Sequence, residues 1–370
     1  MTGFPVHAEH LDCLQANLAL LADRHHGAGA HIRLGSVLRC APRPLTDGPL
    51  AGLLTVEPTL DQQLADAAEL LGLNVAERRR HAPGEAPDTS GGPLYVVADA
   101  YHLPWVPYHG TKHVEHSFVV DDDGGDTLTI SDAYHNDTQW GRARPLRLPF
   151  SREDFTALSK ALPEGAESVR FAPGPLGAPP GPRVAPGPAP EYLRGYAGHE
   201  DRRAALEAFT LETWLLARAR RLHAAHLEEH GAAGAEPEAV REHLRQWDGL
   251  VEHAYLAFRR VDRGRAEPPG LFERAGEVLA RDSVVFGAGS GVREAAVREV
   301  VGSVLGIPEA ALVDGRLTDH PEFNSIRMVE VVEILEERFA VEFAPADLVP
   351  ENLQSIEDLC GLLNRATDRE

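Results

Sequence analysis

Four side chains of this 370-residue sequence have the type and the setting to do chemistry. Ser325 stands in Asn324-Ser325-Ile326, directly before an apolar-periodic helix. A serine at a helix start keeps its hydroxyl in solvent, and the positive end of the helix favours a phosphodiester there. Cys13 stands in Leu11-Asp12-Cys13-Leu14, in the first turn of another helix that Gly27 stops. The helix dipole and unpaired N–H groups at that place are expected to lower a thiol's pKa and to hold an oxyanion. Asn17 lies one turn on, on the same face, and joins the oxyanion candidates. His116 opens one strand-like run and Asp132 closes the next. As antiparallel neighbours they would lie side by side, a base and the acid that orients it.

Blander readings compete with each of these. A lone cysteine is more often a buried structural thiol, a helix-start serine is often only a cap, and an aspartate after a strand is often a turn residue. Cys40 and Cys360 read as structural. His102, His109, His113 and His116 form a histidine-rich stretch. His109 and His113 would share a face only on a helix, which Pro104 and Pro107 oppose, and no HExxH occurs. No metal is assigned; His109 and His113 read as loop residues lining a cleft. Asp99 is placed to cap that loop or to contact an amine. His25 and His26 suit the negative end of their helix.

Composition narrows the class. The formal net charge of −21 argues against a nucleic-acid partner, because phosphate contacts need clustered Lys and Arg. Residues 291–370 hold 7 basic and 17 acidic side chains, so the acidity is concentrated in the tail. A small acidic domain suits docking onto a basic patch. Three widely spaced cysteines without a CxxC pair argue against a disulfide framework or a structural zinc site. No apolar run is long enough for a bilayer and no signal segment opens the chain, which predicts a cytoplasmic protein without membrane contact.

The elements that must hold these residues follow from periodicity. Residues 1–150 mix one helix with strands: 93–101, a run from His116, and Thr127–Asp132, with a proline-aromatic loop 103–108. Residues 172–189 are rich in Pro and Gly and read as a linker or extended loop. From 190 to 286 the apolar spacing is helical, with no residue there announcing a role. Gly287–Gly291 reads as a flexible break. Residues 291–370 read as four helices, the second opened by Ser325, a short third at Pro345–Leu348, and the last capped by Ser355 and Asp358. The fold class expected is α+β with a C-terminal helical bundle. The domains are 1–171, a linker 172–189, a helical subdomain 190–286 and the tail 291–370.

Two resemblances add to this. Residues 291–366, on the motif Asn324-Ser325-Ile326, resemble the acyl and peptidyl carrier proteins. That resemblance implies 4'-phosphopantetheine on Ser325, a phosphopantetheinyl transferase and an adenylating, acyl-loading enzyme as partners. Asn324 departs from the family's usual aspartate, which helps recruit the modifying synthase. The order of cysteine on an early helix, then histidine and acid on consecutive strands, is similar to that of papain-like enzymes. Residues 5–145, on Cys13, Asp99-x-Tyr101-x-Leu103-Pro104, His116 and Ser131-Asp132, resemble the family named for the N-terminal domain of butirosin biosynthesis protein H. A related set works in petrobactin-type siderophore pathways. This implies a cysteine acyltransferase that passes an acyl or aryl group from a carrier thioester to an amine acceptor such as a polyamine. Cys13, His116 and Asp132 would be the triad, with Asn17, Asp99, Tyr101 and His113 toward substrate. The alternatives are a thioesterase or peptidase with the same triad, and a non-catalytic protein that presents the carrier.

Overall fold

The computed structural model describes residues 4, 6–38, 40, 42–46, 48–177, 183–184, 190–230, 237–286, 291–307, 312, 316–317, 320, 323–339 and 341–367, with only the backbone at 291–295, 351, 357, 364 and 367. The 287–290 break, Asp314-Gly315, and Asp319, Pro321 and Glu322 before the serine lie outside this set. The fold is mixed α+β, with a sheet and helices first and a helix-rich C-terminal region after it.

Helix α1 spans Cys13–His26. Asp12 opens it, accepting from the Leu14 and Gln15 amides, while the Gln15 side chain returns a bond to the Asp12 amide. Gly27 ends it at φ 98°, a conformation glycine adopts without a Cβ penalty. A second helix, α2 over Leu60–Leu71, departs from the expectation of a single helix in this half. Its signal was local: Thr59 and Gln62 form a reciprocal capping box.

Six strands make one antiparallel sheet: β1 (Leu73–His81), β2 (Leu94–Asp99), β3 (Glu115–Asp122), β4 (Thr127–Asp132), β5 (Leu146–Ser151) and β6 (Ala166–Pro173). Their spatial order is β5-β4-β3-β2-β6-β1. Strand side chains alternate between faces. Tyr95, Val97, Val119 and Val169 pack on Leu14, Leu18 and Leu21 of α1. Val96, Phe118, Val120, Leu128 and Ile130 pack instead on Phe155 of α3 (Arg152–Lys160) and on Leu162.

Helices α4 (Pro190–Gly198), α5 (Arg202–His230), α6 (Pro237–Asp262) and α7 (Leu271–Val285) follow. They enclose their own core of Tyr192, Phe209, Trp247, Leu250 and Leu279. Of the two readings of the Pro/Gly segment, linker or extended loop, its described parts have the character of a loop held against the fold. Gly174 donates to the Gly72 carbonyl at 2.8 Å, and Arg33 Nη1 donates to the Gly177 carbonyl at 3.2 Å. Arg183–Val184 pairs in parallel with Val37–Leu38. Backbone groups held against a core need such partners, and proline-rich sequence still offers carbonyls. Gly35 is required where this layer meets α5: a Cβ there would stand 2.3 Å from the Leu222 carbonyl oxygen.

The tail packs α8 (Gly291–Leu305), α9 (Ser325–Phe339) and α10 (Ile356–Thr367) around Val297, Val301, Leu335, Leu359 and Leu363. Ser355 Oγ accepts from the Asp358 amide at 3.1 Å, as its spacing predicted. The short third helix is displaced from the expected 345–348. It is a single 3-10 turn at Pro350–Asn352, where Pro350 takes the first helical position, and residues 345–347 form a turn. Among the described residues no helix is long and apolar enough to cross a membrane.

Candidate functional site

Cys13 is the first residue of α1, half-buried, where α1 meets β3. Its Sγ donates to the Glu115 carbonyl at 3.3 Å, and its own carbonyl accepts from Ser117 Oγ at 2.7 Å. The sulfur and backbone of Cys13 are thus bonded to the two residues that flank His116. The His116 ring is fully buried. Its Nε2 lies 2.7 Å from Asp132 Oδ2, while its Nδ1 has no hydrogen-bond partner among the described residues. The Tyr134 ring meets the imidazole edge-on at 5.3 Å between centroids.

Asp132 is saturated with donors. Trp105 Nε1 donates to Oδ2 at 3.1 Å, and the Tyr134 amide and Asn17 Nδ2 donate to Oδ1 at 3.0 and 3.4 Å. Burial works against its charged form. The His116 ring, its hydrogen bond, the Tyr134 amide and Asn17 outweigh burial and hold the carboxyl below its ordinary pKa. His116 and Asp132, paired only by strand order in the sequence, are in direct contact.

Asn17 must be reassigned. Its side chain is fully buried and spent: Nδ2 donates to the Ser117 carbonyl at 2.8 Å as well as to Asp132, and Oδ1 accepts from the Ala133 amide at 2.9 Å. It ties α1 to β3 and to the end of β4 and cannot also meet an oxyanion. The spacing that suggested one face of the helix was right; that face turns to the sheet. Asp99 and His113 are bonded to each other, Oδ2 to Nδ1 at 2.5 Å, and the Tyr101 ring stacks on His113 at 4.3 Å. Asp99 also accepts from the Tyr101 amide at 3.0 Å, so it does cap the loop.

The thiol pKa moves opposite to the expectation. Burial pushes it well above the ordinary thiol value, and the charges of Asp12, Glu57 and Asp132 push the same way. The helix N-terminus fails to compensate because it is already occupied. Asp12 Oδ1 takes the Leu14 and Gln15 amides at 2.8 Å each, and the Asp12 carbonyl takes the Ala16 amide. The first-turn amide still working on the sulfur is that of Cys13 itself, which lowers the thiol pKa. The oxyanion hole expected from the helix end reduces to this one N–H.

Two positioning residues carry no sequence signal. Trp105 comes from the proline-aromatic loop and covers the Asp132 carboxylate. Arg218 of α5 is buried and donates to the carbonyls of Ala8, Leu11 and His135 at 2.9, 2.5 and 2.7 Å. It thereby clamps the segment entering α1 to the segment leaving β4. A long-range bond from an arginine to backbone carbonyls leaves no pattern in a linear chain.

Ser325 is the first residue of α9 and is exposed. The cap of this helix is Asn324, whose Oδ1 accepts from the Ile326 and Arg327 amides at 3.1 and 3.0 Å. The serine hydroxyl is therefore spared the capping role, and the helix start can face a phosphodiester. These residues fit phosphopantetheine: an accessible hydroxyl, a capped helix N-terminus and exposed Ile326 and Val329 beside it.

A search of curated proteins finds no match to the chain. Residues 295–363 match the family described as Phosphopantetheine attachment site. The C-terminal region is thus a phosphopantetheine-binding domain, which takes its cofactor covalently and has a phosphopantetheinyl transferase as its general partner.

Proposed function

We propose that this chain is a cysteine acyltransferase, papain-like in its N-terminal part, that moves an acyl or aryl group from a thioester through Cys13 to an amine. The observation that carries the reading is the Cys13 sulfur lodged on the strand of His116, whose Asp132 partner is bonded, in a chain that also holds an attachment domain. Phosphopantetheine, bound at Ser325, supplies a thiol that holds an acyl group as a thioester. His116 Nδ1 takes the thiol proton as Cys13 Sγ attacks the acyl carbon, and the Cys13 N–H faces the oxygen that gains charge. His116 returns that proton to the departing sulfur, later takes one from the amine whose nitrogen displaces Cys13, and passes it to the Cys13 sulfur, restoring the thiol. Asp132 stabilises the imidazolium in both halves. A thioester becoming an amide runs downhill, so the step needs no ATP.

The raised thiol pKa supports a mechanism in which His116 acts as general base during attack, in place of a resting thiolate. Intact-protein mass spectrometry tests the reading. The chain is treated with a phosphopantetheinyl transferase and an acyl-coenzyme A, then with a polyamine. The expected record is an increment on Ser325, an acyl adduct on Cys13, and an amide of the polyamine. Discharge to water alone would identify a thioesterase. Full amide formation by Cys13→Ala would leave a carrier-presenting protein.

A further inference from the structure

The sequence offered four histidines between 102 and 116 with no spacing that groups them. The fold groups two of them with a carboxylate. Asp99 ends β2, and Ala100–His102 makes one 3-10 turn capped by Asp99. The loop then closes on itself, with the Gly110 amide donating to the Tyr101 carbonyl at 2.8 Å and the Ala100 amide to the Val114 carbonyl at 2.9 Å. That closure sets His113 over Asp99 and beside His102. Asp99 Oδ2 lies 2.5 Å from His113 Nδ1 and 3.9 Å from His102 Nε2, and one donor atom from each of the three residues falls within 4.8 Å of the others. His102 Nε2 is buried and makes no hydrogen bond.

We infer that Asp99, His102 and His113 form a binding site for a divalent transition-metal ion. Two imidazoles and one carboxylate suit zinc, cobalt or iron(II) better than calcium or magnesium, which prefer oxygen ligands throughout. Bonds of about 2.0–2.2 Å place the donors of a tetrahedral ion roughly 3.4 Å apart, so rotations of about an ångström adapt the three side chains. The stacked Tyr101 ring orients His113, as partners of a ligating imidazole do. The surroundings favour a cation. The cleft of about 290 Å³ bordered by Asp99 and His113 is also lined by Glu115 and Glu164, by Glu167, which Arg78 pairs, and by Arg80. Asp99 is the register partner of Glu115, whose carbonyl receives the Cys13 thiol, so the ion would stand at the edge of the cysteine site without using its residues. The inference rests on this cluster and is independent of the acyl-transfer reading.

Cobalt(II) titration of the full, chelator-treated chain tests it, followed by visible absorption and by displacement with zinc. The expected result is one ion per chain, with affinity reduced at least about 100-fold in His102→Gln and in His113→Gln, more than loss of an outer partner usually costs. His113 is largely exposed, so its variant keeps the fold, and zinc should raise the melting temperature of the parent and leave that of His113→Gln unmoved. Cys13→Ala should bind cobalt as the parent does. The inference falls if uptake is absent, if the double variant His102→Gln/His113→Gln binds as the parent does, or if the spectrum shows thiolate ligation that Cys13→Ala removes.

Discussion

The two nucleophile candidates sit in the same local frame and in opposite surroundings. Cys13 and Ser325 are each the first residue of a helix, and each follows an Asx cap that accepts from the next two amides. Asp12 is a buried acidic cap whose pKa burial raises, and Cys13 is half-buried against a strand; Asn324 is an exposed amide cap and Ser325 faces solvent. The difference teaches that a helix start does not by itself activate a nucleophile. At Cys13 burial and three carboxylates overrule the dipole, so the proposed reaction assigns the work to a base within the fold. At Ser325 no base is needed in the fold, because a separate enzyme brings the chemistry.

The largest expected effect separates the two sites outright. Cys13→Ala should reduce amide formation by about 10³-fold or more while Ser325 is still modified, whereas Ser325→Ala should lose both the modification and the amide; intact mass reads both. Next, Asp132→Ala should cost about 10³-fold in acyl transfer by releasing His116, with no change in pantetheinylation. If pantetheinylation fell equally, the loss would be one of folding and the comparison would break.

Acid should also divide the two regions. His223 is fully buried on α5, and burial depresses its pKa from 6.5 to about 4 despite its bond to the Gly35 carbonyl. The unfolded chain then binds a proton below 6.5 that the folded chain refuses until about 4. Stability is therefore full above the upper value and falls as pH drops through that window, by about 3 kcal/mol at most. Residues 291–370 hold one histidine, the half-buried His320. Denaturant melts between pH 7 and 4 should show the first 286 residues weakening before the tail.

The subtlest tests exchange the caps. Asp12→Asn keeps both amide bonds and removes the charge, so the Cys13 thiol pKa should fall and alkylation near neutral pH should quicken several-fold. An unchanged pH profile of alkylation would mean that burial, with Glu57 and Asp132, sets the thiol without Asp12. Asn324→Asp restores the acid usual in carrier proteins, and the initial rate of Ser325 modification should rise several-fold. Asn324→Asp should leave the melting temperature unmoved, as an exposed substitution does, whereas Asp12→Asn should lower it, because the buried Asp12 Oδ2 also accepts from Gln63 Nε2 at 2.8 Å.

What was readable in the sequence was local. Capping patterns marked α1 and α10, short apolar runs between turn residues marked β2, β3 and β4, and chain order paired His116 with Asp132. Strand β1 was not readable because Glu77, Arg78, Arg79 and Arg80 look like a solvated run. It lies at the edge of the sheet, where only Leu73 and His81 at its ends are buried. Asn17 was placed correctly on the helix and wrongly in the chemistry, because its partners Ser117, Asp132 and Ala133 come from a hundred residues away. Arg218 and Trp105 were invisible for the same reason.

The amino-acid order alone determined where each candidate nucleophile begins its helix and that an attachment domain lies at 295–363, since these depend on neighbours a few positions apart. The tertiary structure decided that, among the described residues, Nε2 of His116 is bound and Nδ1 free, that the amides near Cys13 are spent, and that Asp99, His102 and His113 converge. Burial and electrostatic fields sum over all nearby groups regardless of their distance along the chain, so no local pattern encodes them.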